Sequence, residues 1–110
     1  MANVARGDEQ DDVTTNHLCT TATKTKECST TVFAANYGVV RKGDKDKEHF
    51  SEADPCPGAN HEPTLDDGYS STVFADGPTQ NVAMEGSVYG NDVGLDEEIT
   101  TVNQSTVKVS

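Results

Sequence analysis

The chain has 110 residues, so we expect a single domain that spans residues 1–110. Its formal net charge of −11 argues against binding to the phosphate backbone of nucleic acid, which attracts Lys and Arg. Only 33% of the residues are hydrophobic, and they include three Leu, one Ile and no Trp. Burial alone therefore provides a thin core, and we expect a metal, disulfides or oligomerisation to support it.

The chain carries no signal for a membrane or for secretion. No apolar run reaches the length of a membrane span, and residues 1–10 lack the hydrophobic centre of a signal peptide. We therefore expect a protein that is made in a cytoplasm, where thiols stay reduced and disulfides are rare. On that expectation Cys19 and Cys28 are small, partly buried thiols and not a disulfide.

The residue pattern predicts an all-β fold. No segment shows the 3.6-residue apolar period of a helix, whereas Val and Thr are abundant and are interrupted by Gly, Asp and Asn. The polar segments that separate the first two and the next two predicted strands are typical of hairpin turns. The predicted strands are residues 29–35, 37–43, 70–77, 80–85, 86–90, 99–102 and 105–110.

Acidic residues outside these strands are predicted to be solvated. Residues 7–12 and 95–98 are acidic runs of the kind found in surface loops. Asp44, Asp46 and Glu48 alternate like the beginning of a calcium loop, but the Gly and the closing Glu that such a loop requires are missing. We interpret these three residues as solvated charge at the end of a strand.

Two stretches of sequence repeat along the chain. Residues 29–34 (STTVFA) recur as residues 70–75 (SSTVFA), and residues 39–44 (VVRKGD) match residues 82–87 (VAMEGS). The match extends over strand, turn and glycine. It therefore indicates a structural repeat, against the alternative of chance similarity among Val- and Thr-rich strands.

The two ends of the chain carry the parts of a third copy. Residues 4–8 (VARGD) resemble residues 39–44 with one residue fewer, and residues 105–110 (STVKVS) resemble the opening strand of the unit without its return. We therefore predict three copies of a hairpin followed by a loop, with the third copy split between the termini. The termini should pair with each other and close a ring of strands, which removes exposed sheet edges.

Residues 49–61 (HFSEADPCPGANH) concentrate two of the three histidines and one of the three cysteines. Imidazole nitrogen and thiolate sulfur are ligands that zinc prefers. The spacing of Cys56 and His61 is not that of a zinc finger, so the residues alone leave two interpretations open. One is a metal site, and the other is a pair of surface histidines beside an incidental thiol.

The sequence resembles PAAR-repeat proteins over nearly its whole length, residues 3–110. The resemblance rests on NVARGD at 3–8, on VVRKGD at 39–44, on the two strands that contain TVFA, on the C-P-x-x-x-H loop and on the strand-like C-terminus. The residues at 3–6 stand in place of the Pro-Ala-Ala-Arg tetrapeptide itself. The resemblance implies a small cone of short strands with pseudo-threefold symmetry, whose base sits on a trimeric β-helical spike and whose point binds zinc.

The resemblance also implies the zinc ligands, which are three histidines and one cysteine in that family. The matching residues of this chain are His17, His49, Cys56 and His61. Cys19 could replace His17, because it stands two residues away. A closed set of four such ligands is typical of a structural zinc site, and iron could also occupy it.

For function, the resemblance implies a membrane-piercing tip that caps and sharpens the trimeric central spike of a contractile phage tail. We expect one chain on the trimeric partner, at the tail tip or baseplate of the virion, in transient contact with the target membrane. The open alternatives are the tip of a type VI secretion spike, and a metal-stabilised β-module with another partner. We expect no enzyme and no catalytic residue, because a thiolate bound to zinc is not free to attack a substrate.

Overall fold

The computed structural model describes residues 1–15, 20–50, 60–90 and 97–110. These residues form short strands, bridges and turns, and they include no helix that is long and apolar enough to span a membrane. The predicted all-β class is confirmed. The strands are β1 (Ala2–Asn3), β2 (Asp12–Thr14), β3 (Ala22–Lys24), β4 (Phe33–Ala34), β5 (Tyr37–Gly38), β6 (His49–Phe50), β7 (Asn60–His61), β8 (Leu65–Asp67), β9 (Val88–Tyr89), β10 (Glu97–Thr101) and β11 (Lys108–Val109).

The strands are shorter than the sequence predicts. Residues 70–77 and 80–85 contribute isolated bridges and no regular strand. The hydroxyl of Ser70 accepts the backbone N–H groups two and three residues further on, at 3.2 and 3.0 Å, and so bends the chain where a strand was predicted. Conversely, β2, β3, β6, β7 and β8 lie in polar segments where no strand was predicted.

Three segments meet at the centre of the molecule and bond to one another in a ring. The N–H of Ala5 donates to the carbonyl of Ala83 at 3.0 Å, the N–H of Ala83 to that of Val40 at 2.8 Å, and the N–H of Val40 to that of Ala5 at 2.9 Å. All three residues are completely buried. Because the ring closes on itself, none of the three segments presents an open edge here.

A hairpin-like pair flanks each segment of the ring. The strands β4 and β5 form one hairpin, and the bridge between Phe74 and Asn81 closes a second. The third pair joins the two ends of the chain, because β1 is antiparallel to β11 with Ala2 opposite Val109. The predicted pairing of the termini is thus present.

Apolar side chains pack on both sides of the ring. Successive residues of an extended chain point to opposite faces, so Val4 and Ala5 enter different clusters, as do Val39 and Val40. The hairpin-side cluster contains Val4, Ala34, Val39, Ala75, Val82 and Val109. The cluster on the other side contains Ala5, Val13, Val40, Leu65, Ala83, Tyr89, Ile99 and Val102.

The larger cluster lies under a five-stranded antiparallel sheet in the order β3-β2-β10-β9-β8. Ile99 of β10 packs in this cluster, and Glu97 stands two residues before it on the same strand. The pair β6–β7 is separate from the sheet. The whole chain is elongated, with principal extents of 41 × 25 × 23 Å.

Close backbone packing around Cys28 provides a test of this arrangement. Cys28 is a free thiol, as the sequence predicts, and Gly38 lies against it. A Cβ on Gly38 would stand 2.0 Å from the carbonyl oxygen of Ser29, which is backbone and cannot turn aside.

We therefore expect Gly38→Ala to lower the free energy of unfolding by about 1 to 3 kcal/mol, as overpacking does. Chemical denaturation measures this change. The control is Gly77→Ala, where a Cβ would meet only the flexible end of Gln80 at 3.3 Å and the cost should be small. Equal losses in the two variants would contradict the packing described here.

Candidate metal centre

Two histidines face each other across a short pair of strands. The register of β6 and β7 places His49 directly opposite His61. Their ring centroids are 4.5 Å apart, and the ring planes meet at 65°. The chain therefore brings together two imidazoles that stand twelve residues apart in sequence, and the backbone pairing fixes their separation.

A buried carboxylate completes the group. Glu97 begins β10 and is completely buried. Its Oε1 lies 2.9 Å from Nε2 of His49, and its Oε2 lies 3.9 Å from Nε2 of His61. One ligand atom from each of the three residues lies within 4.8 Å of the others, so this group could hold a metal ion.

A hydrogen bond to the backbone fixes the orientation of the His49 ring. Its Nδ1 lies 2.8 Å from the carbonyl oxygen of Lys47, and a carbonyl can only accept, so Nδ1 carries the proton. Nε2 therefore faces Glu97, where it can bind a cation. Burial by itself lowers the pKa of His49. The hydrogen bonds to Glu97 and Lys47 raise the pKa by more than burial lowers it, so the net shift is upward.

A second buried carboxylate stands beside the group. Asp46 is completely buried, and its Oδ1 lies 3.7 Å from Nδ1 of His49. Burial and the nearby charge of Glu97 raise the pKa of Asp46 to about 10. The interpretation of Asp44 and Asp46 as solvated charge is therefore wrong, since both are buried.

The chemistry of these donors fits a divalent metal. Two imidazole nitrogens and one carboxylate oxygen suit zinc, and they also suit iron or manganese. The side chains of His49, His61 and Glu97 are 5%, 11% and 0% exposed, so the donors are nearly closed to solvent. A structural zinc site is closed by four protein ligands, so these three donors leave one position for a further ligand.

The structure describes two of the four predicted ligands, and it places one further residue beside them. His49 and His61 lie together, whereas His17 and Cys56, and the alternative ligand Cys19, lie outside the described residues. Glu97 was assigned to a solvated loop, and that interpretation is wrong because it begins β10. The sequence signal that could have indicated Glu97 is its position two residues before Ile99. Alternate residues of a strand share a face, so both side chains lie on the buried face.

Comparisons with protein-family models, with curated proteins and with solved structures gave no match. The basis for a function is therefore the ring, the hairpins and the metal group themselves.

The metal group predicts a link between metal content and stability. We expect about one zinc per chain by elemental analysis, because the three donors form one group. His61→Ala and Glu97→Gln should each reduce the bound metal and lower the unfolding temperature, since each removes a donor that joins distant segments. Cys56→Ser tests the fourth predicted ligand in the same way.

Cys28→Ser is the matched control, because Cys28 packs against Gly7 and Gly38 and not against the metal group. It should leave the metal content unchanged. If the ligand variants and Cys28→Ser retain equal amounts of metal, the assignment of the donors is wrong.

Proposed function

We propose that this protein is the tip of a membrane-piercing spike. The end of the molecule that carries the hairpins caps a trimeric β-helical spike, and the end that carries the metal group forms the point. The observation that carries the proposal is the closed ring of Ala5, Val40 and Ala83, because a threefold arrangement within one chain is what a threefold-symmetric partner requires.

The hydrogen bonds outside the ring support a PAAR-type arrangement of three related units. The carbonyl oxygens of three valines accept N–H groups from the three ring segments at 2.9 to 3.0 Å. These valines also have nearly the same exposure, 37 to 38%. They are Val32, Val73 and Val107.

The turns that precede these valines are capped alike, although the capping residues differ. Ser29 and Ser70 each accept two backbone N–H groups, two and three residues further on, through the side-chain hydroxyl. Gln104 does the same through its side-chain oxygen, with both bonds at 2.9 Å. The same local geometry thus occurs three times, and this repetition supports the pseudo-threefold interpretation more strongly than sequence similarity does.

The hairpins leave large apolar side chains in solvent. Phe33 is 58% exposed and Phe74 is 46% exposed, at matching positions of two hairpins. Tyr37 is exposed on the return strand of the first hairpin. Large apolar side chains that are exposed on a surface mark an interaction site, and in this proposal they contact the blunt, sheet-edged end of a β-helical trimer.

At the other end, the metal would join segments that are distant in the chain. His49 and His61 belong to one strand pair, and Glu97 belongs to the five-stranded sheet. Zinc held by these residues would tie the pair to the sheet, and a cross-link of that kind compensates for a thin core. We propose zinc as the native metal and a contractile phage tail as the setting, with a type VI secretion spike as the alternative host for the same tip.

The test is binding to a trimeric β-helical spike fragment encoded beside this protein, measured by pull-down and by size-exclusion chromatography. We expect one chain for each trimer. Phe33→Ser combined with Phe74→Ser should weaken the complex at least about tenfold, since two exposed aromatic anchors are lost.

Phe50→Ser is the matched control, because Phe50 is also exposed, at 43%, but adjoins His49 of the metal group. It should leave the complex intact. Loss of binding in Phe50→Ser with retention in the double variant would place the contact at the wrong end of the molecule and would overturn the proposal.

A further inference from the structure

We propose that one side chain from each hairpin-like pair contacts one subunit of the partner trimer, and that these three side chains are Phe33, Phe74 and Lys108. Each partner subunit then offers the same site, an apolar surface with a carboxylate at its edge. The inference rests on the proposed function, because it takes the partner to be a threefold-symmetric trimer. It adds a lysine that determines specificity and the chemistry of the partner site.

The backbone places these three residues at equivalent positions. Each directly follows one of the valines whose carbonyl oxygens bond to the ring segments at 2.9 to 3.0 Å. Each is itself followed by an apolar residue of the hairpin-side cluster, and these residues are Ala34, Ala75 and Val109. Each also has a cross-strand partner immediately before a ring segment. The pairs are Phe33 with Gly38, Phe74 with Asn81, and Lys108 with Asn3.

All three side chains face solvent. Phe33 is 58% exposed and Phe74 is 46% exposed, and Lys108 is also an exposed residue. Successive residues of an extended chain point to opposite faces, so burial of the next residue in the cluster turns each of the three outward. A symmetric partner therefore meets two aromatic rings and one lysine at corresponding points.

The hairpin-like pairs contain almost no charged side chains. Residues 1–3, 29–38, 70–81 and 104–110 contain one acid, Asp76, and one base, Lys108. The carboxylate of Asp76 is already paired, since it accepts hydrogen bonds from Arg41 at 2.8 Å and from Ser29 at 2.5 Å. Lys108 forms no ion pair with any residue that the structure describes. Its ammonium group is therefore available to a partner.

One kind of partner site has to accept both phenylalanine and lysine, because the three subunits of a homotrimer are identical. A Phe ring and the aliphatic stem of Lys both cover apolar surface, and the ammonium at the end of the stem needs a negative partner. A carboxylate meets that need. It is also favourable beside a Phe ring, whose edge carries partial positive charge. A basic group would repel Lys108.

The distribution of charge also favours this end of the molecule over the others. The acid and the base of the hairpin-like pairs cancel, so the net charge of −11 belongs to the rest of the chain. A partner surface that carries carboxylates is therefore repelled by the rest of the chain and accepted at the end that presents Lys108.

The test measures the dissociation constant for the trimeric β-helical spike fragment encoded beside this protein, at low and at high salt. Lys108→Glu should weaken binding at least about tenfold, because two carboxylates would then face each other. Lys108→Phe should bind about as tightly as the parent, because the other two sites already accept Phe. Its affinity should also depend less on salt, since an ion pair is lost.

An exchange at Phe33 tests the equivalence of the three sites. Phe33→Lys should bind at least about tenfold more tightly than Phe33→Glu, because a partner site that accepts Lys108 also accepts a lysine from another hairpin. Both positions are exposed, so the unfolding temperature of every variant should match that of the parent.

Lys45→Glu is the matched control, because it changes the net charge by the same amount as Lys108→Glu. Lys45 is exposed and pairs in a backbone bridge with Thr64, next to β8 of the five-stranded sheet. The variant should bind the spike fragment like the parent.

Four binding results would overturn the inference. They are an unchanged affinity in Lys108→Glu, an equal loss in Lys108→Phe, equal affinities of Phe33→Lys and Phe33→Glu, and an equal loss in Lys45→Glu. Self-association of the chain that Phe33→Ser combined with Phe74→Ser abolishes would make a second copy the occupant, and it would also overturn the inference.

Failure of this inference differs from failure of the proposed function. If the parent binds the fragment and the double phenylalanine variant does not, the spike-tip function stands whatever the results at Lys108. If the parent does not bind the fragment, the spike-tip function and this inference both fail.

Discussion

The structure depends on the ring of three backbone hydrogen bonds that links Ala5, Val40 and Ala83. Each of these residues donates to one neighbour and accepts from the other, so the three segments satisfy one another without a continuous sheet. The ring needs small side chains, because three backbones converge where none of the three residues is exposed. It also separates the two apolar clusters, so that a thin core is divided between the two sides of the ring.

The three turns next to the ring show how the charge of the core is balanced. The N–H groups of Arg6 and Arg41 are accepted by Asp11 and Asp44, and each aspartate also pairs with the guanidinium of the same arginine. In the third turn a methionine and a serine stand in place of the arginine and the aspartate. The N–H of Met84 is accepted there by the hydroxyl of Ser87, and the Met side chain packs on the apolar cluster.

This paired change keeps the interior neutral, since an arginine or an aspartate left alone would be a buried charge. The rule that a buried charge needs a partner also applies to the candidate metal centre. There the acids Asp46 and Glu97 are buried beside two histidines, and a divalent cation is the partner that this combination suits. The thin apolar core is thus supplemented by electrostatic pairing in the centre, and a metal held by His49, His61 and Glu97 would add a cross-link.

The sequence by itself determined the all-β class, the repetition and the pairing of the termini, because Val- and Thr-rich segments, glycine turns and capping serines act through local backbone geometry. It also indicated His49 and His61 as partners. Only the tertiary structure decided that Glu97 joins them and that Asp46 is buried beside them. An acidic residue in a polar segment has the same local pattern whether it faces solvent or the interior, and the difference arises from which distant strand packs against it.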